Sequence, residues 1–225
     1  MKSTQWQFIL LGFDVEDSVL LLSPYASKYG VRLESCALLL YAVAQDDTDC
    51  TGVERFFDEV CKIFGQKLIM GNLGEAVVCN LSKSKQKIGI AESCTGGLLA
   101  HQLTSISGAS AVFDCGIIAY ANDIKERVLG VDSQSLMQFG AVSEIVVAQM
   151  CEGILRVSGA DFALAISGVA GPSASEHKPV GLVFIGVKQK GERAIIEQCS
   201  FGNLSRAQIQ YLSAQNALAL LLRHI

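Results

Sequence analysis

From residue 88 onward, short apolar runs of strand length alternate with segments of helical periodicity, and most junctions carry a glycine or a helix-capping side chain. Strands that alternate with helices pair in parallel and need helices on both faces of their sheet, which restricts this region to an α/β layer architecture. The spacing predicts strands over 88–91, 116–120, 162–166, 182–187 and 194–201. It predicts helices over 96–103, 123–129 and 144–157, and a last one running to about Arg223. Asn122 is placed to cap the second helix and Gly130 to end it; Ser143 and Gly159 do the same for the third.

The residues before this region follow another pattern. The spacing predicts a strand over 6–13, a segment broken at Pro24, a strand over 31–44, a polar turn over 45–49 and a helix over 53–64. Val53, Phe56, Phe57, Val60 and Phe64 form one helical stripe, which reads as core rather than as a cofactor site. The run Ser82–Lys87 reads as a solvated connection. The balance of charge differs too, at -5 up to residue 80 and +1 from 81 to 225. The expected organisation is a small α+β domain over 1–70 followed by an α/β/α sandwich domain over 71–225.

Half of the 225 residues are hydrophobic and 18% are charged, which excludes a disordered chain. A formal charge of -4 and a pI near 5.4 argue against nucleic-acid binding. The longest apolar run, Ala37–Ala44, is far short of the ~20 residues that span a bilayer, and no signal-peptide pattern opens the chain. The expected location is the cytoplasm, with no membrane partner. The eight cysteines are scattered singly, without a CxxC pair or a Cys/His cluster. Neither a metal site nor a disulfide framework is expected, and most of the thiols read as buried.

Three loops carry candidate chemistry. In Glu92-Ser93-Cys94-Thr95-Gly96-Gly97, glycines allow a sharp strand-to-helix turn, where a serine nucleophile would face free amides at a positive helix end. The alternative is a structural turn capped by Ser93 or Thr95. In Tyr120-Ala121-Asn122-Asp123-Ile124-Lys125, a lysine in a first helical turn meets the positive end of the helix dipole. With burial, that placement lowers its pKa toward that of a general base. The alternatives are an exposed lysine on a helix flank and a core tyrosine. Ser167-Gly168-Val169-Ala170-Gly171-Pro172 follows a buried strand, where open α/β sheets bind ligands, and its amides and Lys178 are candidates for holding phosphate or ribose. It matches neither a P-loop nor GxGxxG.

Taken together, residues 91–97, 120–125, 140–144 (Gly-Ala-Val-Ser-Glu) and 167–172 resemble the CinA C-terminal domain, the nicotinamide-nucleotide amidase family. The resemblance runs from about Leu73 to the C-terminus. It implies an amidohydrolase that converts nicotinamide mononucleotide to nicotinate mononucleotide and ammonia, without a metal or another cofactor. By motif, the catalytic serine, tyrosine and lysine fall on Ser93, Tyr120 and Lys125. Thr95, Gly96, Gly97, Ser167, Gly168, Gly171, Lys178 and Arg206 are the expected substrate-binding residues, and a homodimer is the expected assembly. The first third resembles the KH-like spacer of longer CinA proteins, but it is acidic and has no GxxG clamp flanked by basic residues, so RNA binding is not expected. The molybdopterin-binding-like domain of full-length members is not in this sequence, nor is a pyrophosphatase activity tied to it expected.

Two segments depart from the family pattern. Residues 173–177 (Ser-Ala-Ser-Glu-His) lack the usual Gly-Gly and are about one residue shorter, with His177 read as a solvated side chain. Residues 202–206 (Gly-Asn-Leu-Ser-Arg) lack the usual Asp-Arg pair, so Arg206 either replaces the phosphate contact from a shifted position or the contact is lost. These changes leave open a non-catalytic nucleotide-binding or competence-associated protein, or an amidase for another small carboxamide.

Overall fold

The computed structural model describes residues 5–11, 13–36, 39–44, 51–175, 178–202 and 204–225. Their contacts divide the chain into two compact units, Met1–Ala76 and Val77–Ile225. The division falls inside a helix, α3 (Leu73–Ser84), a few residues beyond the boundary expected from the sequence.

The first unit holds a four-stranded antiparallel sheet, in the order β2-β3-β1-β4, with two helices packed on it. Its elements are β1 (Gln5–Leu10), α1 (Val15–Lys28), β2 (Val31–Cys36), β3 (Leu39–Ala44), α2 (Thr51–Phe64) and β4 (Leu68–Met70). Phe8, Leu10, Leu40 and Ala42 on the sheet meet Leu22, Ala26, Val53, Phe56 and Val60 on the helices. The stripe predicted on α2 is therefore core, and Phe8 packs edge-on against Phe57 with ring centroids 5.2 Å apart. Two expectations change. Pro24 lies inside α1 on its exposed face, while Leu22 and Ala26 are buried, so packing carries the helix through a residue that removes one backbone bond. The strand expected over 31–44 is two antiparallel strands, with Val31 opposite Ala44 and Cys36 opposite Leu39. The polar turn expected over 45–49 lies outside the described residues.

The second unit is a three-layer α/β/α sandwich. Its strands are β5 (Ile88–Glu92), β6 (Phe113–Ile118), β7 (Phe162–Gly168), β8 (Leu182–Gln189) and β9 (Ile195–Ser200), in the order β6-β5-β7-β8-β9. β5 pairs in parallel with β6 and β7, and β8 and β9 add antiparallel strands at one side. The central strands β5 and β7 are buried almost throughout, whereas the edge strands β6 and β9 are partly exposed, as expected of a sheet covered on both faces.

One face is covered by α5 (Asn122–Leu129), α6 (Ser133–Phe139) and α7 (Glu144–Ser158), and the other by α4 (Leu98–Thr104) and α8 (Arg206–Leu222). α7 turns Val146, Val147, Met150, Cys151, Ile154 and Leu155 toward Ala91, Ala163 and Ala165. Where it crosses the end of α5, only glycine fits at position 153, because a Cβ there would lie 2.0 Å from the Leu129 carbonyl oxygen. The caps expected at Ser143, Gly130 and Gly159 are present. Asn122 is not a cap: Ala121 holds that position, and Asn122 is the first helical residue. α3 takes in Ser82–Ser84, half of the run read as a connection, and ends before Lys85, whose φ is 56°. α6 was unmarked by sequence pattern and starts from Asp132, whose carboxylate accepts from the Gln134 and Ser135 amides. Of the six described cysteines, only Cys94 and Cys151 are buried, fewer than expected.

The connection from β5 leads through α4 to β6, and the chain then passes back across the sheet to β7 on the other side of β5. That reversal opens a crevice at the carboxyl end of β5. The strand ends there in Glu92, which is 1% exposed. Its carboxylate accepts hydrogen bonds from the amides of Gly97 (2.9 Å), Leu99 (3.2 Å) and Ala100 (2.8 Å), and so caps α4 from within the core. Glu92→Ala strips these three amides of their acceptor, at a cost of about 3 kcal/mol or more. Thermal unfolding followed by circular dichroism should show the midpoint lowered by about 6–12 °C. An unchanged midpoint would show that the carboxylate does not hold the helix.

Candidate active site

Ser93 follows β5 directly. Its amide donates to the Ile166 carbonyl at 3.0 Å, which holds the residue in line with the sheet, and the Gly96 amide returns to the Ser93 carbonyl at 3.2 Å to close the turn. Gly96 and Gly97 turn with φ of 62° and 102°, a region that side chains rarely adopt. The serine is thereby presented at the tip of the strand, 9% exposed.

Lys125 comes from the first turn of α5 and is 1% exposed, which rules out a solvated lysine on a helix flank. Its Nζ lies 3.1 Å from Ser93 Oγ, 2.7 Å from the Ala119 carbonyl oxygen and 3.2 Å from that of Tyr120. Three neutral oxygens thus surround a buried amine, one of them the candidate nucleophile. The Tyr120 side chain is not part of this contact. It is 59% exposed, and its hydroxyl accepts from Arg206 Nη2 at 2.9 Å.

Ser93 and Lys125 open into a cleft of about 260 Å³. Tyr120 and Asn122 line one side, Ala141 and Val142 another, and the 167–171 loop a third, with Arg206 exposed at the rim. Of the expected binding residues, Ser167, Gly168, Gly171 and Arg206 line this space. The Ser167 hydroxyl donates to the Ala141 carbonyl at 2.7 Å and so joins two walls. Gly168 leaves no room for a side chain, since a Cβ would meet Val183 Cγ2 at 2.6 Å. Arg206, the first residue of α8, donates from Nη1 to the Gly171 carbonyl at 2.9 Å.

The other expected contacts fall elsewhere. Lys178 donates to the carbonyls of Phe139 and Val142, each at 2.6 Å, and braces a wall instead of lining the cleft. Thr95, Gly96 and Gly97 do not line it, and the amides of Gly97, Leu99 and Ala100 are taken by Glu92. The amides expected to face the nucleophile from the helix end are therefore occupied. Those of Cys94 and Thr95 make no hydrogen bond among the described residues. Ser173 and Ser175 also line the cleft, and a bridge between Ser175 and Lys178 closes the shortened loop, whose residues Glu176 and His177 lie outside the described residues.

Two contributors were given no role by the sequence: Glu92, which opens the first candidate loop, and Gln210 in α8, which donates to the Cys94 carbonyl at 2.8 Å. The Cys94 thiol also lines the cleft, but burial pushes its pKa up to about 12, so it stays protonated and is no rival to Ser93.

Comparison with known proteins identifies the family. The CinA C-terminal domain profile matches residues 71–225. A CinA-like protein of Prochlorococcus marinus is 41% identical over 203 residues, covering 88% of this chain and 47% of the relative. One of Crocosphaera subtropica is 38% identical over 208 residues, covering 90% and 49%. The chain thus spans about half the length of these curated relatives. Among solved structures, the competence/damage inducible protein CihA of Agrobacterium tumefaciens is 39% identical with a TM-score of 0.65, over 67% of this chain and 92% of that one. The competence damage-inducible protein A of Klebsiella pneumoniae is 32% identical with a TM-score of 0.66, over 68% and 96%. With its serine and lysine joined at the switch point of the sheet, this chain belongs to the CinA C-terminal domain family.

Proposed function

We propose that the chain is a serine amidohydrolase that removes ammonia from the carboxamide of nicotinamide mononucleotide. The observation that carries this reading is the 3.1 Å contact between Ser93 Oγ and the buried amine of Lys125 at the base of the cleft. Lys125 enters the cycle as a neutral amine. Its two N–H bonds then suit the carbonyls of Ala119 and Tyr120, and its lone pair is left to accept the Ser93 hydroxyl proton.

Ser93 Oγ bonds to the carboxamide carbon as its proton passes to Lys125 Nζ. The resulting oxyanion accepts a hydrogen bond from the amide of Cys94, which lines the cleft and has no other acceptor among the described residues. The carbon–nitrogen bond then breaks, and Lys125 returns the proton to the leaving ammonia. Water attacks the acyl-serine, giving up a proton through Lys125 to Ser93, and the carboxylate product departs. The cationic pyridinium ring draws electrons from the carboxamide carbon, so a serine and a lysine suffice for the attack. The direct contact makes a relay through the Tyr120 hydroxyl unnecessary. Arg206 at the rim is the cation available to the substrate phosphate.

Ammonia release from nicotinamide mononucleotide, measured with a chelator present, is the direct test. Ser93→Ala and Lys125→Met should each lower kcat by about a thousandfold or more in folded protein. Normal turnover by Ser93→Ala would overturn the assignment. Cys94 leads to a second expectation. Below about pH 12 its thiol is uncharged and buried, so iodoacetamide at pH 8 should leave the activity intact while the exposed Cys61 and Cys79 are alkylated. Inactivation that tracks modification of Cys94 would make the thiol part of the chemistry.

A further inference from the structure

Arg206 is a cation held by neutral oxygens. Its guanidinium bonds the Gly171 carbonyl and the Tyr120 hydroxyl, which come from two different loops on opposite walls of the cleft. Among the described residues it forms no ion pair. Its position at the start of α8 also sets it against the positive end of a helix dipole, so its charge gains nothing from its own helix. A guanidinium has five N–H donors in a fixed fork, and two of them make these bonds, which leaves the rest to an incoming anion.

Tyr120 divides its groups between two tasks. Its main-chain carbonyl accepts from Lys125, while its side chain stands out into the cleft and meets only Arg206 among the described hydrogen-bonding partners. The phenol oxygen accepts from the guanidinium and is not hydrogen-bonded to Ser93 or Lys125. We propose that Tyr120 is a positioning residue, whose hydroxyl fixes the Arg206 fork across the rim so that it captures the phosphate monoester of the substrate. This rests on the reading of the cleft as a nucleotide amidase. Tyr120 then sets the preference for a phosphorylated substrate and exchanges no proton with the reacting atoms.

The test is a double-mutant cycle in the full chain. Ammonia release from nicotinamide mononucleotide and from the phosphate-free nicotinamide riboside is compared in wild type, Tyr120→Phe, Arg206→Ala and the double variant. Tyr120→Phe should raise KM for the mononucleotide about tenfold, keep kcat within about twofold, and lower the mononucleotide-to-riboside ratio of kcat/KM about tenfold. In the Arg206→Ala background, adding Tyr120→Phe should change that ratio no further, because the tyrosine acts through the arginine. Arg206→Lys, which keeps the charge but not the fork, should behave like Tyr120→Phe. Equal loss of kcat on both substrates in Tyr120→Phe, or additive effects in the double variant, would overturn the proposal. If wild type releases no ammonia, the amidase reading fails, and calorimetric titration of nicotinamide mononucleotide into the same proteins decides the Tyr120 proposal separately. Non-additive weakening of binding supports it, and binding indifferent to Tyr120→Phe or absent overturns it.

Discussion

A carboxylate at the end of β5 organises the site. Glu92 is almost wholly buried, and an isolated charge in that position would be costly to desolvate. Three amides at the start of α4 surround it instead, and its main-chain carbonyl accepts from the Ala119 amide at 2.8 Å. One residue therefore joins β5, the end of β6 and α4. The next residue is Ser93, so the candidate nucleophile is attached directly to this junction. The chain needs Gly96 and Gly97 directly afterwards, because it must turn back far enough within a few residues for α4 to meet the carboxylate behind it. The same arrangement decides where an oxyanion can be held. With the helix amides occupied, the free donor beside Ser93 at the cleft is the amide of Cys94, which precedes the helix.

Burial of Lys125 follows a related logic, with acceptors in place of donors. Lys125 reaches main-chain carbonyls at the end of β6, where the strand has given up its ladder partners and turned toward α5. The sheet's switch point thus supplies acceptors to the lysine just as the helix start supplies donors to the glutamate. Lys125 reaches the cleft that Ser93 also lines, whereas Glu92 stays behind it.

The layer architecture was legible because β5 and β7 are continuous apolar runs while the helices between them carry glycine ends and Ser143 in its capping place. Pro24 misled because its punctuation assumes a solvated helix; in α1 the packing of Leu22 and Ala26 outweighs the lost bond. The division into β2 and β3 was hidden because residues 31–44 contain no Gly, Pro, Asn or Asp. At the site, the local pattern left Ser93 open to capping a glycine turn and Lys125 open to lying on a helix flank; the family motifs singled both out, and the structure brings their side chains to 3.1 Å. The destination of a long side chain is another matter. Lys178 and Arg206 were both expected to hold the substrate, yet one braces carbonyls of a wall and the other, the first residue of α8, stands at the rim. Their sequence neighbours are silent on that difference, since it depends on the 139–142 segment and the 167–171 loop folding to the same place.

Under the proposed reading, the layout of the cleft bears on selectivity. Its base holds a serine and an amine, Asn122, Ser167, Ser173 and Ser175 stand among the glycine, alanine and valine residues of its walls, and its cation lies out at the rim. Gly168 lets main chain approach where any side chain would collide with Val183. A ligand of the proposed kind presents its carbonyl to Ser93 at one end and its anion to Arg206 at the other. The residues between, Ser167 tied to Ala141 and Lys178 tied to Phe139 and Val142, touch neither end, and their work is to keep that distance fixed. Selectivity in such a site comes from length, because a ligand that satisfies Arg206 without reaching Ser93, or the reverse, forfeits one of its two strong contacts.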